Sequence, residues 1–227
     1  MMLPEVSVIV PNYNHASYLV QRIESILNQT FQDFELLILD DCSTDNSKDI
    51  IEQYRNHPKV KVIVYNEENS GSTFRQWNKG IDMAQGKYIW IAESDDVAET
   101  NLLETLLPPL QDNNVHIAYC QSNRLSGDGI VTGTWLTHTE DLASRLFRKN
   151  FRMNGVRFIN KFLIYKNVIP NASAVVFRKS AFYQAGAADD CIETCADWLL
   201  WMKMLMSGDV YFHATALNNF RYHSQSV

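Results

Sequence analysis

With 227 residues, close to half of them hydrophobic, the chain is long enough to bury a full core and suits one compact globular unit. Its formal charge of −6 argues against a nucleic-acid duplex or an anionic lipid surface as the main partner, because both reward a clustered basic face that no segment is expected to supply. Four cysteines (Cys42, Cys120, Cys191 and Cys195) show neither CxxC spacing nor the density of a disulfide scaffold, so ordinary reduced thiols are expected.

The opening "MMLPEVSVIVP" has no basic leader region and is broken by Pro11, which predicts a first strand in place of a signal peptide. "ASYLVQRIESILNQT" sets Leu19, Ile23, Ile26 and Leu27 on one helical face, and "FELLILDD" is a continuous apolar run of strand length. "STDNSKDIIEQYRN" opens with capping residues, Ser43 and Thr44 among them, before its apolar positions. "VKVIVYN" follows as a strand, "STFRQWNKGIDMAQG" as a helix up to Gly86, and "KYIWIAESDD" as a fourth strand. Strand alternating with helix, with strands apolar throughout, predicts an α/β fold whose central sheet is mainly parallel and flanked by helices. Ligands of such sheets gather beyond the carboxyl ends of the strands.

After Asp96 the pattern changes. "TNLLETLLPPLQDN" predicts a helix stopped by Pro108 and Pro109, "HIAYCQSN" a strand, and residues 124–172 something less regular. "SAVVFRK" returns to strand, "SAFYQAG" is a short helix, "ETCADWLLWMKMLMSG" a longer one and "ALNNFRYH" a closing strand. The apolar stripe of Trp198, Trp201, Met202, Met204, Leu205 and Met206 predicts a core helix ahead of one laid on a membrane. No stretch approaches the roughly 18 uninterrupted apolar residues that span a bilayer. A soluble, cytoplasmic protein without internal domain boundaries is therefore expected.

"LDDCS" and "AESDD" both fall at strand ends, so two acidic groups meet at one rim. Crowded carboxylates repel one another unless a positive charge joins them. Mg²⁺ or Mn²⁺ suits such a place, since these ions take one or two carboxylates and complete their shells with water and phosphate oxygens. The alternative is that the acids are solvated and merely favour the starts of following helices.

Taken together, "VSVIVPNYNHASYL", "QTFQDFELLILDDCSTDNS", "NSGSTFRQWNKGIDMAQGKYIWIAESDD", "ADWLLWMKMLMSG" and "FRYHSQSV" resemble the family 2 glycosyltransferases, inverting enzymes of the GT-A fold with nucleotide-sugar donors. The resemblance runs in order over nearly the whole chain and is loose only around residues 124–170. It implies a single catalytic domain over 1–227, with a nucleotide-binding half of about residues 1–98 and an acceptor-side half of about 99–227. Related enzymes often continue past this point, so a trimmed catalytic domain is one expectation.

The resemblance also implies roles. Pro11 and Tyr13 occupy the positions that hold the base, Tyr13 offering a flat face, and Asp41 the position that accepts from the base imino group, as an acceptor-only carboxylate can. Asp40 would support the turn. The DxD motif falls on Glu93, Ser94 and Asp95, departing from the pattern at the first acid. Asp95 is the metal-binding position, Asp96 would orient it from behind, and Glu93 would face the ribose, a metal-bound water or a basic group. Asp197 matches the catalytic base at a helix start, although the acid usually preceding it is replaced by Ala196 and Glu193 would have to stand in. Arg75 would reach the diphosphate. Arg221 and His223 match a closing RxH segment, with His223 approaching the metal or the phosphates, and residues 167–177 would line the acceptor side.

The implied reaction moves a sugar from a nucleoside diphosphate, UDP first because of Asp41 and Tyr13, to a hydroxyl of a glycan or lipid-linked acceptor. Bacterial surface polysaccharide assembly is the implied setting, in the cytoplasm or at the inner face of the membrane with peripheral attachment. Three rival readings are weighed. A sugar-nucleotide pyrophosphorylase needs a Gly-rich basic loop after the first strand, and "PNYNHASY" has no Gly, Lys or Arg. A receiver-type module is shorter and has no use for the C-terminal half. A nucleotide-sugar or glycan-binding protein of the same fold without catalysis is left open by Glu93 and by the missing acid before Asp197.

Overall fold

A computed structural model describes residues 3–143, 145–192 and 194–223. In its first half, strands β1 (Val6–Asn12), β2 (Phe34–Asp40), β3 (Val60–Tyr65) and β4 (Tyr88–Ile91) alternate with helices α1 (Ala16–Leu27), α2 (Ser47–Gln53) and α3 (Thr73–Met83). All four strands run parallel, in spatial order β3-β2-β1-β4. The register sets Asn12 opposite Asp40 and Ile9 opposite Ile91, so the residues that follow these strands emerge at a common rim. β1, β2 and β4 are buried at every position, as their unbroken apolar runs predict for strands covered on both faces.

The second half extends this sheet. It contains β5 (Val97–Ala98), α4 (Leu102–Leu110), β6 (Val115–Ser126), β7 (Val131–Thr134), α5 (Leu136–Ala143) and β8 (Phe151–Asn154). There follow α6 (Gly155–Phe158), continued by a wider turn at Ile159–Leu163, then β9 (Val175–Arg178), α7 (Lys179–Gln184), α8 (Ala196–Leu205) and β10 (Asp209–Tyr222). β9 lies antiparallel between β4 and β6, and β10 runs parallel to β6, giving the mixed, mainly parallel sheet.

Period-two alternation sends side chains to two cores. Val8, Val10, Leu36 and Ile38 meet Leu19, Ile23 and Ile26 of α1 and the leucines of α4. Ile9, Leu37 and Leu39 meet Phe74, Trp77 and Ile81 of α3 and Trp201 and Leu205 of α8. Each fully buried aliphatic side chain contributes about 1.5–3 kcal/mol. α8 is a core helix, with Leu200, Trp201, Met204 and Leu205 buried.

Three expectations are corrected. Pro108 and Pro109 lie inside α4, not beyond it. They remove two N–H donors, but only in the last turn, and burial of Leu106, Leu107 and Leu110 keeps that turn on the sheet. The irregular stretch contains α5, β8 and α6. At Gly155 a Cβ would overlap the carbonyl oxygens of Leu205 and Gly208, so glycine lets α6 start against the end of α8. Finally, a basic segment does exist. Residues 142–188 hold nine of the chain's 20 Lys and Arg and none of its 26 Asp and Glu, an imbalance that the net charge averages away.

Candidate functional site

The rim begins where β1 ends. Asn14 adopts a left-handed backbone (φ 56°) and turns the chain into α1, whose first flanking residue is His15. Cys42, just after the β2 acids, and Cys195, just before α8, are left-handed too (φ 64° and 61°). Non-glycine residues adopt this conformation at a cost, and such strain gathers at functional sites. Here it flanks Tyr13, Asp41 and Asp197. Pro11 is buried on β1, while Tyr13 is 46% exposed, its ring open to the rim.

The two acids of "LDD" have different tasks. Asp40 accepts from Asn12 Nδ2 (2.8 Å), Ser43 N (2.9 Å) and Ser43 Oγ (2.6 Å), tying the ends of β1 and β2. Ser43 and Thr44 do not cap α2. Ser43 Oγ accepts from Asn14 N and Thr44 N donates to Asn14 Oδ1, while Asn46 holds the cap position of α2 and Asp45, before it, accepts from Ser47 N (2.9 Å). Asp40 at the end of β2 and Asn14 just past the end of the neighbouring β1 hold these groups in place of the helix end.

Asp41 is buried and receives Asn66 Nδ2 (2.6 Å), Ser70 N (2.9 Å), Ser70 Oγ (2.7 Å) and Gln76 Nε2 (2.9 Å). It anchors the loop into α3, and an imino donor arriving there has to displace one of these groups. Arg75 belongs to the same loop. Its Nη1 donates to Ser70 O (2.9 Å), its Nε is 3.5 Å from Asp190 Oδ2, and its side chain is half exposed.

Beyond β4 the acids pack closely. Glu93 accepts from Trp77 Nε1 (2.8 Å), and its own N–H donates to Ser173 Oγ (3.0 Å). Burial, reinforced by Asp95, pushes the Glu93 carboxyl up to about 8. Asp96 accepts from Asn171 Nδ2 (2.6 Å) and Arg221 N (2.9 Å), and burial with Asp95 beside it raises Asp96 to about 7. At both acids the cost of burial outweighs the pull of the nearby Arg22 guanidinium, and a second cation next to Asp95 would lower both.

Arg221 braces this loop. Its Nε donates to Asp95 O (2.7 Å) and its Nη2 to Gln21 Oε1 (2.7 Å), while the guanidinium lies 4.7 Å from the Tyr18 ring centre. The Asp95 carboxylate itself points to the rim, where His223 Nε2 stands 3.0 Å from Asp95 Oδ2.

His15 completes the group: one ring nitrogen of each histidine and an Asp95 oxygen all lie within 4.8 Å of one another. The His15 ring is oriented by Ser94 Oγ, 2.8 Å from its Nδ1, and burial lowers its pKa, which favours the neutral, ligating form. Two imidazoles and a carboxylate form a donor set suited to a divalent first-row ion, more to Mn²⁺ than to Mg²⁺.

Asp197 stands apart, in the first turn of α8. Burial raises its pKa, partly offset by the Trp198 N–H and the Asn167 side chain. The link to the acids is indirect: Trp201, one turn on, lies 6.2 Å ring to ring from Trp77, which holds Glu93. Glu193, the stand-in acid, lies outside the described residues.

Sequence reasoning missed His15 and Arg22. The one available signal for His15 was a ligating residue type just past a strand end. Arg22 is fully buried on α1 with no hydrogen-bond partner for its guanidinium among the described residues. It lies over Trp90, 5.1 Å from the ring centre. Burial lowers it to about 10, against the pull of Asp96, Asp95 and Glu93. It is the internal cation behind the acids.

A family model described as glycosyl transferase family 2 matches residues 7–184. Glycosyltransferase GlyG of Streptococcus pneumoniae is 40% identical over 112 residues, covering 49% of this chain and 37% of its own. A chondroitin synthase of Escherichia coli is 32% identical over 176 residues, 75% of this chain and 25% of its own. The structure of S. aureus TarS 1-349 in complex with UDP superposes with a TM-score of 0.75 at 22% identity, covering 96% of this chain and 60% of that one. The mannosyltransferase PcManGT from Pyrobaculum calidifontis, in complex with GDP-Man and Mn²⁺, gives 0.75 at 16% identity, covering 100% and 59%. The sheet order and these superpositions define a GT-A fold. This chain spans less than two thirds of each of these four proteins.

Proposed function

The chain belongs to glycosyltransferase family 2, and from that premise we propose that it transfers a sugar from a nucleoside diphosphate donor, UDP-linked first, to a hydroxyl acceptor with inversion. The observation that carries this is the meeting of Asp95, His223 and His15 at the rim where β1, β2 and β4 end. Those three residues would hold the divalent ion. Bound there, a divalent cation supplies positive charge against the departing diphosphate.

The remaining work falls to the chain's own groups. Tyr13 stacks on the base and Asp41 accepts its imino N–H, taking the place of Gln76 or Ser70. Arg221 keeps the 95–96 loop in position, and Arg75 turns from Asp190 to the diphosphate. Asp197 takes the proton of the acceptor hydroxyl as that oxygen attacks the anomeric carbon from the face opposite the leaving group, in one displacement. A raised pKa makes this carboxylate a stronger base.

The nucleotide half is then residues 1–98, and the acceptor half 99–227. The acceptor is a glycan or a lipid-linked glycan, in keeping with the polymer named for the E. coli relative. The UDP in TarS and the Mn²⁺ in PcManGT support the choice of donor and ion.

A thermal-shift panel of UDP, dTDP, GDP and CMP with and without Mn²⁺, on the chain and on Asp95→Ala, tests the proposal. UDP should stabilise only with the cation, and the variant should lose the effect. Stabilisation by every nucleotide regardless of Mn²⁺ would end the proposal. Nucleotide binding without sugar transfer or donor hydrolysis would instead favour a binding protein of the same fold.

A further inference from the structure

Outside the site, one surface departs from the character of the rest. α6 and its continuation bury Phe158, Ile159, Phe162 and Leu163 and leave Val156, Arg157 and Lys161 exposed, and Ile164 and Tyr165 are exposed in the turn that follows. Ile164 and Tyr165 are 54% and 69% exposed, and they follow the exposed cations Arg157 and Lys161 in the chain.

The chain around them has no acid between Asp141 and Asp189. Ion pairs to acids outside this stretch occupy Arg148, Arg152 and Lys166. Arg145, Lys149, Arg157 and Lys161 have no carboxylate partner among the described residues, although the whole chain is acidic. A short helix and the turn after it, mixing exposed cations with exposed Ile and Tyr, have the composition of an interfacial element.

We propose that this face, formed by Val156, Arg157, Lys161, Ile164 and Tyr165, rests on an anionic lipid surface. The cations meet lipid headgroups while Ile164 and Tyr165 enter the headgroup boundary. Charge complementarity selects this occupant, since the remainder of the molecule carries all 26 acids and is repelled by the same surface. The expected core role of α8 stands, so attachment does not pass through its tryptophans.

The placement bears on the acceptor, resting here on the assignment of Asp197 as base. Leu163 O accepts from Trp198 Nε1 (2.9 Å), and Asn167, two residues past Tyr165, bonds Asp197. The lipid-facing segment thus leads directly to the base, and the acceptor class this favours is a hydroxyl presented on a membrane-borne lipid.

Vesicle co-sedimentation tests it. The full chain is mixed with phosphatidylcholine vesicles and with vesicles of which about a third is phosphatidylglycerol, at low and high salt. It should sediment with the anionic vesicles only, and less at high salt. Arg157→Glu with Lys161→Glu should lower partitioning at least about thirtyfold, from about a fivefold share per basic residue, and Ile164→Ser with Tyr165→Ser should lower it without changing the salt dependence. The UDP and Mn²⁺ thermal shift should be unchanged in both variants, which separates failure of this surface from failure of the proposed chemistry.

No sedimentation of the unaltered chain with anionic vesicles would overturn the proposal whatever the variants do. Equal sedimentation with neutral vesicles, or binding to soluble heparin but not to vesicles, would overturn it as well, the latter in favour of a polyanionic glycan.

Discussion

Replacing Asp197 with Asn removes a base and little else. The amide keeps the shape and an acceptor oxygen for the Asn167 and Trp198 donors at the start of α8, and it sheds a charge that burial disfavours. Net stability should therefore shift by no more than about 1 kcal/mol. Asp197 sits on a different element from Tyr13, Asp41 and Asp95, so the dissociation constant for UDP with Mn²⁺ should stay within about twofold by calorimetry. Turnover should not. A positioned base is worth about 10²–10⁴-fold, or about 3–5 kcal/mol of barrier. Release of UDP from UDP-sugars, with water as surrogate acceptor, measures it.

The pH profile adds a sign. The base works only when deprotonated, so kcat/KM in the unaltered chain falls as pH drops through the Asp197 pKa. Burial raises that pKa, which places the acid limb above the usual carboxylate value of about 4. The Asn variant should lack this limb. Turnover within about threefold of the unaltered chain, or an unchanged acid limb, would refute the assignment of Asp197.

Asp41→Ala should collapse the preference for UDP and dTDP over CMP in nucleotide titrations, because cytosine lacks the imino donor. The same change should cost about 1–3 kcal/mol in urea unfolding, since it strands the amides of Asn66 and Gln76. In Arg22→Met the acids lose their internal cation, so the rise in Tm on adding Mn²⁺ should exceed that of the unaltered chain; equal rises would remove Arg22 from the account. Gly155→Ala should destabilise by about 1–3 kcal/mol in urea titration, through overlap with the Leu205 and Gly208 carbonyls.

The parallel half of the fold was legible because burial on both faces leaves a plain record. "FELLILD" has no alternation, and β2 is indeed buried at every position. Ser43 and Thr44 look like caps, yet their partners are Asp40, three residues back at the end of β2, and Asn14 just past the end of the neighbouring strand.

The same limit governs the site. The Asp95 and Asp197 positions carry short contiguous motifs. His15 joins Asp95 over a separation of 80 residues, and Asn171 reaches Asp96 over 75, pairings that only the sheet register creates. The basic stretch over 142–188 was visible by counting. Netting charge over the whole chain concealed it.

Continuous-wave and pulsed electron paramagnetic resonance of Mn²⁺ titrated into the chain with UDP tests the central claim most directly. A single bound ion per chain should show nitrogen couplings from His15 and His223, tighten when UDP is present and be lost in Asp95→Ala. Undiminished Mn²⁺ binding in that variant, or UDP affinity indifferent to the ion, would contradict it.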